Sequence, residues 1–145
     1  MKYSELKKIK AFCNGLHSEP QWREVVESVL SDSDDFEVDN VRFIAADCID
    51  SIQCDDLESD LYILGCFNAW FLADVTGLGS EVIEAMQAAE AFEALGKLVI
   101  SLGKLSELQQ EYARLDGYGH HFNHYDGNQE EIVINGRLYF VFDNH

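Results

Sequence analysis

Apolar residues recur at helical spacing through most of this chain, and the places where that period breaks mark out its elements. Leu6, Ile9, Phe12 and Cys13 form one stripe while Lys7, Lys8 and Lys10 point elsewhere, which predicts a helix over residues 3–15 that stops at Gly15. Ser18, Pro20 and Gln21 read as the start of a second helix through Leu30, with Trp22, Val25, Val26 and Val29 facing inward. The polar run Ser31–Asp35 reads as a solvated loop, and Phe36–Ile44 alternates as a strand does, with Phe36, Val38, Val41 and Phe43 apolar. From Ala45 the helical period returns. Ala45, Cys48, Ile49 and Ile52 line one side and Asp47, Asp50, Asp55 and Glu58 the other, a short helix with an acidic outer face that ends near Ser59–Asp60.

The most apolar stretch is Leu61–Asp74, LYILGCFNAWFLAD, broken only by Asn68 and Asp74. A helix that is apolar all round is enclosed by protein or lipid, and this one is shorter than the roughly 20 residues of a bilayer span. It therefore predicts the central helix of a core. After the turn at Thr76–Gly79, Ser80 is placed to cap the longest helix, with Glu81 and Glu84 in its first turn. Ala85, Ala88, Ala89, Phe92, Leu95, Val99 and Leu102 form its stripe; Gln87, Glu90 and Lys97 face away. Gly96 and Gly103 weaken that helix by roughly 1 kcal/mol each relative to alanine. Leu105, Leu108, Tyr112 and Leu115 make a last helical face. Asp116–Gln129 reads as a loop, and Asn135-Gly136 between Glu130–Ile134 and Arg137–Phe142 is a strong hairpin signal, because both turn positions need positive φ. The expected fold is α+β, mainly α: a compact helical domain around a buried central helix (61–74) with a C-terminal β-hairpin. Residues 1–145 read as a single domain, with 1–40 an N-terminal helical arm on a core at 41–142.

Composition supports a real core, at 47% hydrophobic and 12% aromatic residues. Charge changes the picture more. The chain has 27 acids against 10 bases, net −17. Residues 1–23 hold five bases and two acids, residues 24–93 one base and eighteen acids, and residues 94–145 four bases and seven acids. So strong a negative field repels nucleic acid and attracts basic partners. The N-terminus has no apolar signal segment and no stretch reads as a membrane span. Cys13, Cys48, Cys54 and Cys66 show no paired spacing, as expected of reduced thiols in a cytoplasmic protein.

Three kinds of chemistry compete. His120, His121, His124 and Asp126, with His145 as a further donor, are residue types that hold zinc, although their spacing matches no metal signature. A cysteine paired with a loop histidine would need a lowered thiol pKa, and Cys54 stands instead beside Asp55 and Asp56. Carboxylates are the third. Asp32, Asp34, Asp35, Asp47, Asp50, Asp55, Asp56 and Glu58 form the densest acidic stretch. A DNA strand carries one charge per about 3.4 Å, whereas one acid per helical turn gives one per about 5.4 Å. One helix is too sparse to imitate a strand, and several acidic elements together approach it.

The wording of LGCFNAWFLADVTGL, EAMQAAEAFEALG and QEYARLDGYGHHFNHYDGNQEE, ending in YFVF, resembles small uncharacterised acidic proteins carried by bacteriophages and plasmids, over roughly Val41 to Phe142. The resemblance implies no defined activity and no site residues. It implies a mobile-element setting in which antirestriction and anti-CRISPR proteins are often short and acidic, though no motif of the known antirestriction families is present. The leading expectation is a non-enzymatic inhibitor that mimics DNA and occupies a basic surface of a nucleic-acid-handling protein through those eight carboxylates. The alternatives are a zinc-binding module or metal-dependent enzyme using the histidine loop, and a structural adaptor that forms a homodimer through the hairpin edge or the basic first helix.

Overall fold

The computed structural model describes residues 1–144. Nine helices are present among them: α1 (Tyr3–Gly15), α2 (Trp22–Leu30), α3 (Ile49–Ser59), α4 (Leu61–Gly65), α5 (Ala69–Thr76), α6 (Ser80–Ala88), α7 (Phe92–Ser101), α8 (Leu105–Asp116) and α9 (Tyr118–Phe122). The strands are β1 (Asp35–Val38), β2 (Val41–Ala45), β3 (Glu130–Ile134) and β4 (Arg137–Asp143). The fold is α+β and mainly α. Its residues separate into two compact units, 1–49 with 116–145, and 50–115. His145, the further histidine donor, lies outside the described residues.

The first unit is built on one antiparallel sheet of order β1-β2-β4-β3. The expected C-terminal hairpin is present, with Asn135 and Gly136 both at positive φ (53° and 82°) as a tight turn requires. It is not an isolated ribbon. The predicted strand at 36–44 is itself a hairpin, turned at Asp39 and Asn40 (φ 49° and 67°), and β2 pairs with β4. Strand alternation then sorts the sheet's two faces. Phe36, Val38, Val41, Phe43, Ile132, Ile134, Tyr139 and Val141 point to one face, where Ile9 and Cys13 of α1 and Val25 and Val29 of α2 close the core. On the other face α9 lays Tyr118 on Phe140 (ring centroids 5.7 Å) and Phe122 on Phe142 (5.2 Å).

Polar contacts fasten the two N-terminal helices into this unit. Ser18 donates from its backbone N–H and its hydroxyl to the two oxygens of buried Asp143 (2.9 and 2.5 Å), so Ser18 is tied to the end of β4 and does not cap α2. The Asp39 carboxylate accepts from the Gln21 N–H at 2.9 Å, and the Glu5 carboxylate from the Asn135 N–H at 2.8 Å.

The second unit overturns the expected central helix. Leu61–Asp74 is two helices, α4 and α5, interrupted at Cys66–Asn68. Asn68 is the reason on the α5 side: its side-chain oxygen accepts from the N–H groups of Trp70 and Phe71 and so starts a new helix. Gln87 of α6 secures the interruption by donating to the carbonyls of Gly65 and Phe67 (3.1 and 2.7 Å), which turns a residue expected outside toward the core. The segment is not enclosed on all sides either. Leu64 and Leu72 are buried, but Trp70 is 69% and Tyr62 52% exposed. The expected longest helix likewise divides, into α6 and α7, at Ala89–Ala91, where Glu90 takes φ 59°. Leu57, Leu64, Leu72, Ile83, Leu95, Val99, Leu108 and Tyr112 form the core.

Two glycines set the closest approach in this unit. A Cβ on Gly65 would stand 2.0 Å from the Phe92 carbonyl oxygen, and one on Gly96 would stand 2.3 Å from that of Leu61. Leu61 and Gly65 are one turn apart in α4, as Phe92 and Gly96 are in α7. The pairing is reciprocal and antiparallel, and it needs bare backbone on both helices.

Candidate functional site

The eight carboxylates singled out from the sequence are split between the units: Asp32, Asp34, Asp35 and Asp47 in the first, and Asp50, Asp55, Asp56 and Glu58 in the second. Their chemical states differ as well. In the first unit three of the four are held by arginines. Arg42 of β2 forms a bidentate pair with Asp35 across the hairpin, its Nε and Nη2 donating at 2.8 and 2.7 Å. Arg137, at the start of β4, donates from Nη2 to both Asp34 (2.7 Å) and Asp47 (2.8 Å), with the Cys48 thiol at 3.4 Å. The guanidinium holds the Asp47 carboxyl below the usual carboxylate range, and the two carboxylates raise the pKa of Arg137 in return. Asp32, exposed at the end of α2 with φ 55°, has no ion pair among the described residues.

The second unit has little to answer its charge. It holds twelve acids and three bases, and two of those bases are engaged on their own helix, Lys104 with Glu107 (3.4 Å) and Arg114 with Glu111 (2.7 Å). Asp50 of α3 accepts from the Gln109 side chain of α8 at 2.8 Å. Asp55 and Glu58 are exposed and form no ion pair among the described residues; the same holds for Asp74, Glu81, Glu84, Glu90 and Glu93 on α5–α7 and the turn between them. Cys54 registers the resulting field. Burial raises its thiol pKa first, and the charges of Asp50, Asp55 and Glu58 raise it further.

At Cys13, Cys48 and Cys54, cysteine chemistry meets the opposite of what it needs. Burial pushes the Cys13 thiol up to about 11, and burial together with the Asp47 hydrogen bond and nearby carboxylates raises Cys48. A nucleophilic thiolate requires a lowered value.

The histidine segment is part helix and part loop. His120 and His121 lie on α9, His121 edge-on to Phe122 (4.6 Å), while His124 follows the helix and its N–H donates to Asn144. Both oxygens of Asp126 accept from Asn128 (3.0 and 2.9 Å). Among the described residues, no group of three or more His, Cys, Asp or Glu side chains is arranged to hold a metal ion.

Sequence reasoning missed the two arginines, Arg42 and Arg137. Arg42 sits in a strand between Val41 and Phe43 and Arg137 opens β4 after the Asn135-Gly136 turn, and the carboxylates they meet come from separate elements. Among the described residues no helix is long and apolar enough to cross a membrane. No family model matches this chain, and no curated protein or solved structure matches it.

Proposed function

We propose that this protein is a non-enzymatic, acidic interaction protein of the phage or plasmid type, which presents carboxylates to the basic surface of a nucleic-acid-handling protein. The observation that supports this reading is the net charge of residues 50–115. Twelve acids stand there against three bases, and Lys97 is the one base outside an ion pair among the described residues. A soluble domain needs nothing so one-sided; a net charge of magnitude about 2–8 is ample for a small domain.

On α3, Asp50, Asp55 and Glu58 lie within eight helical steps, or about 12 Å of axis. That is one charge per roughly 6 Å, about half the linear density of a DNA strand. DNA mimicry therefore needs the carboxylates of α5–α7 as well as those of α3. It does not need Asp34, Asp35 or Asp47, whose charges are already met within the first unit.

The test is affinity capture from bacterial lysate with the tagged protein, eluted on a rising salt gradient, in parallel with an Asp55→Lys/Glu58→Lys variant. The expected result is a nuclease, methyltransferase or similar nucleic-acid enzyme that elutes steeply with salt and is lost with the variant, while Asp34→Asn retains it. Capture that is unchanged by the double reversal would refute the acidic face as the working surface.

A further inference from the structure

Against so acidic a chain, the N-terminal helix pair stands out. Residues 1–23 carry five bases and two acids, whereas the remainder carries five bases and twenty-five acids. A groove of about 390 Å³ runs between α1 and α2, lined by Tyr3, Leu6, Lys7, Lys10, Asn14 and Trp22. We propose that this groove binds a small anionic ring compound of the mononucleotide class, with Lys7 and Lys10 on its phosphate and the Trp22 side chain against its ring.

Three features carry the assignment. The first is chemical composition. Tyr3, Lys7, Lys10 and Asn14 follow at i, i+4, i+7 and i+11, so one stripe of α1 offers a ring, two ammonium groups and an amide in sequence. Leu6 and the indole of Trp22 supply an apolar wall beside it. Two lysines are point charges suited to phosphate, and an asparagine amide offers a donor and an acceptor to a base edge. Inorganic phosphate would use the lysines and waste the indole.

The second is availability. Lys8 is committed, donating to the Val133 carbonyl, whereas Lys7 and Lys10 are exposed and form no ion pair among the described residues. Lys7 Nζ lies 5.4 Å from the Tyr3 ring centroid, so the cation and a 76% exposed ring already share one side of the groove. Arg23 lies over the Trp22 ring at 5.0 Å and adds positive charge beside the other wall.

The third is length. Lys7 to Asn14 spans about 10 Å of helix axis, close to the screening length of about 8 Å at physiological salt. An anion of that size experiences mainly the local lysines. A longer polyanion would extend into the field of a chain whose other residues sum to −20, so the groove favours a single nucleotide over a strand.

The experiment titrates ADP, adenosine, inorganic phosphate and a ten-residue oligothymidylate into the full chain. The readouts are backbone amide NMR shifts and the fluorescence of Trp22 in a Trp70→Phe background. ADP is expected to give saturable shifts confined to α1 and α2 and to quench Trp22, with adenosine and phosphate each far weaker. Lys7→Gln combined with Lys10→Gln is expected to weaken ADP by about tenfold or more, as loss of two charge-assisted contacts implies, while the thermal melt stays in place because both lysines are exposed. The proposal is overturned by absence of saturable ADP shifts, by an equal response to phosphate alone, by tighter binding of the oligonucleotide, or by unchanged ADP affinity in the folded double variant.

Discussion

Gly96→Ala tests the packing of α4 on α7, because the two physical effects of the added methyl have opposite signs. As a position in a helix, alanine in place of glycine stabilises by about 1 kcal/mol. As a position in a packed crossing, the new Cβ would stand 2.3 Å from the Leu61 carbonyl oxygen, against an ordinary contact of 3.4 Å or more. The helices must part by about 1 Å, and a gap of that size forfeits a quarter to a half of the dispersion well for each atom pair it opens. Overpacking of this kind usually costs about 1–3 kcal/mol and occasionally more. Carbonyl backbone, unlike the end of a flexible side chain, cannot swing aside, so the upper part of that range applies. The expected net effect is a loss of about 2 kcal/mol after the propensity gain, or a melting temperature lower by about 4–8 °C in a chain of this size. Urea unfolding followed by circular dichroism measures it. Gly15→Ala is the matched comparison: that glycine ends α1 and nothing lies within 4 Å of the added Cβ, so it should hold or gain stability. A Gly96→Ala protein as stable as the parent, or more stable, would refute the crossing.

Arg137→Met should destabilise the first unit most near neutral pH. The Asp47 pKa is depressed by Arg137 in the folded state, so its contribution is present above the ordinary carboxylate pKa of about 3.9 and is lost as pH falls through the folded value. The stability difference between parent and variant should shrink as pH is lowered from 7 to below that range; a constant difference across it would count against the ion pairs. Cys13 behaves in the opposite sense. Its folded pKa is raised from 9.0 to about 11, so the stability it contributes is complete below pH 9 and is lost as pH rises through about 11. Cys13→Ala should remove that part of the alkaline decline, measured by unfolding at pH 8 and pH 11, and an unchanged decline would assign it to other groups. His120→Ala with His124→Ala should leave the zinc content of purified protein unchanged. One zinc per chain, lost in the double variant together with stability, would place a metal in the histidine segment.

Periodicity located elements well wherever one face of an element was apolar and the other was not. The first helix was legible over 3–15 because Lys7, Lys8 and Lys10 contrast with Leu6, Ile9 and Cys13, and α1 has those bounds. The C-terminal hairpin was legible from Asn135-Gly136, where local backbone geometry alone dictates the turn. Periodicity failed where contrast vanished. Leu61–Asp74 is apolar on both sides of Asn68, so nothing in its pattern distinguishes one helix from two; the distinction lies in an Asn68 cap and in Gln87, twenty positions beyond the Phe67 carbonyl it meets. The turn at Asp39-Asn40 was hidden for a related reason. It lies inside a run that alternates correctly on both sides and contains no glycine, although aspartate and asparagine are the side chains that enter the left-handed region most readily. Gly96 read as a weak point in a helix because propensity is a property of one chain, whereas its use depends on the Leu61 carbonyl of another helix.

The same limit governs the charge, and it decides which acidic residues are worth testing. Residues 24–60 hold the densest run of acids, and density alone singles out Asp34, Asp35 and Asp47 along with the rest. But a carboxylate matters to a partner only through the field left after its own protein has answered it. Asp34 and Asp47 share Arg137 and Asp35 is held bidentately by Arg42, so a basic partner would have to compete with contacts of 2.7–2.8 Å already made. Residues 74–93 look more dilute, with five acids in twenty positions, yet none of Asp74, Glu81, Glu84, Glu90 or Glu93 has an ion pair among the described residues. Charge reversal should therefore matter more at Glu81, Glu84 and Glu90 than at Asp34 and Asp35, a ranking opposite to that of linear density. Binding that tracks density instead would mean that the arginine pairs open in the complex.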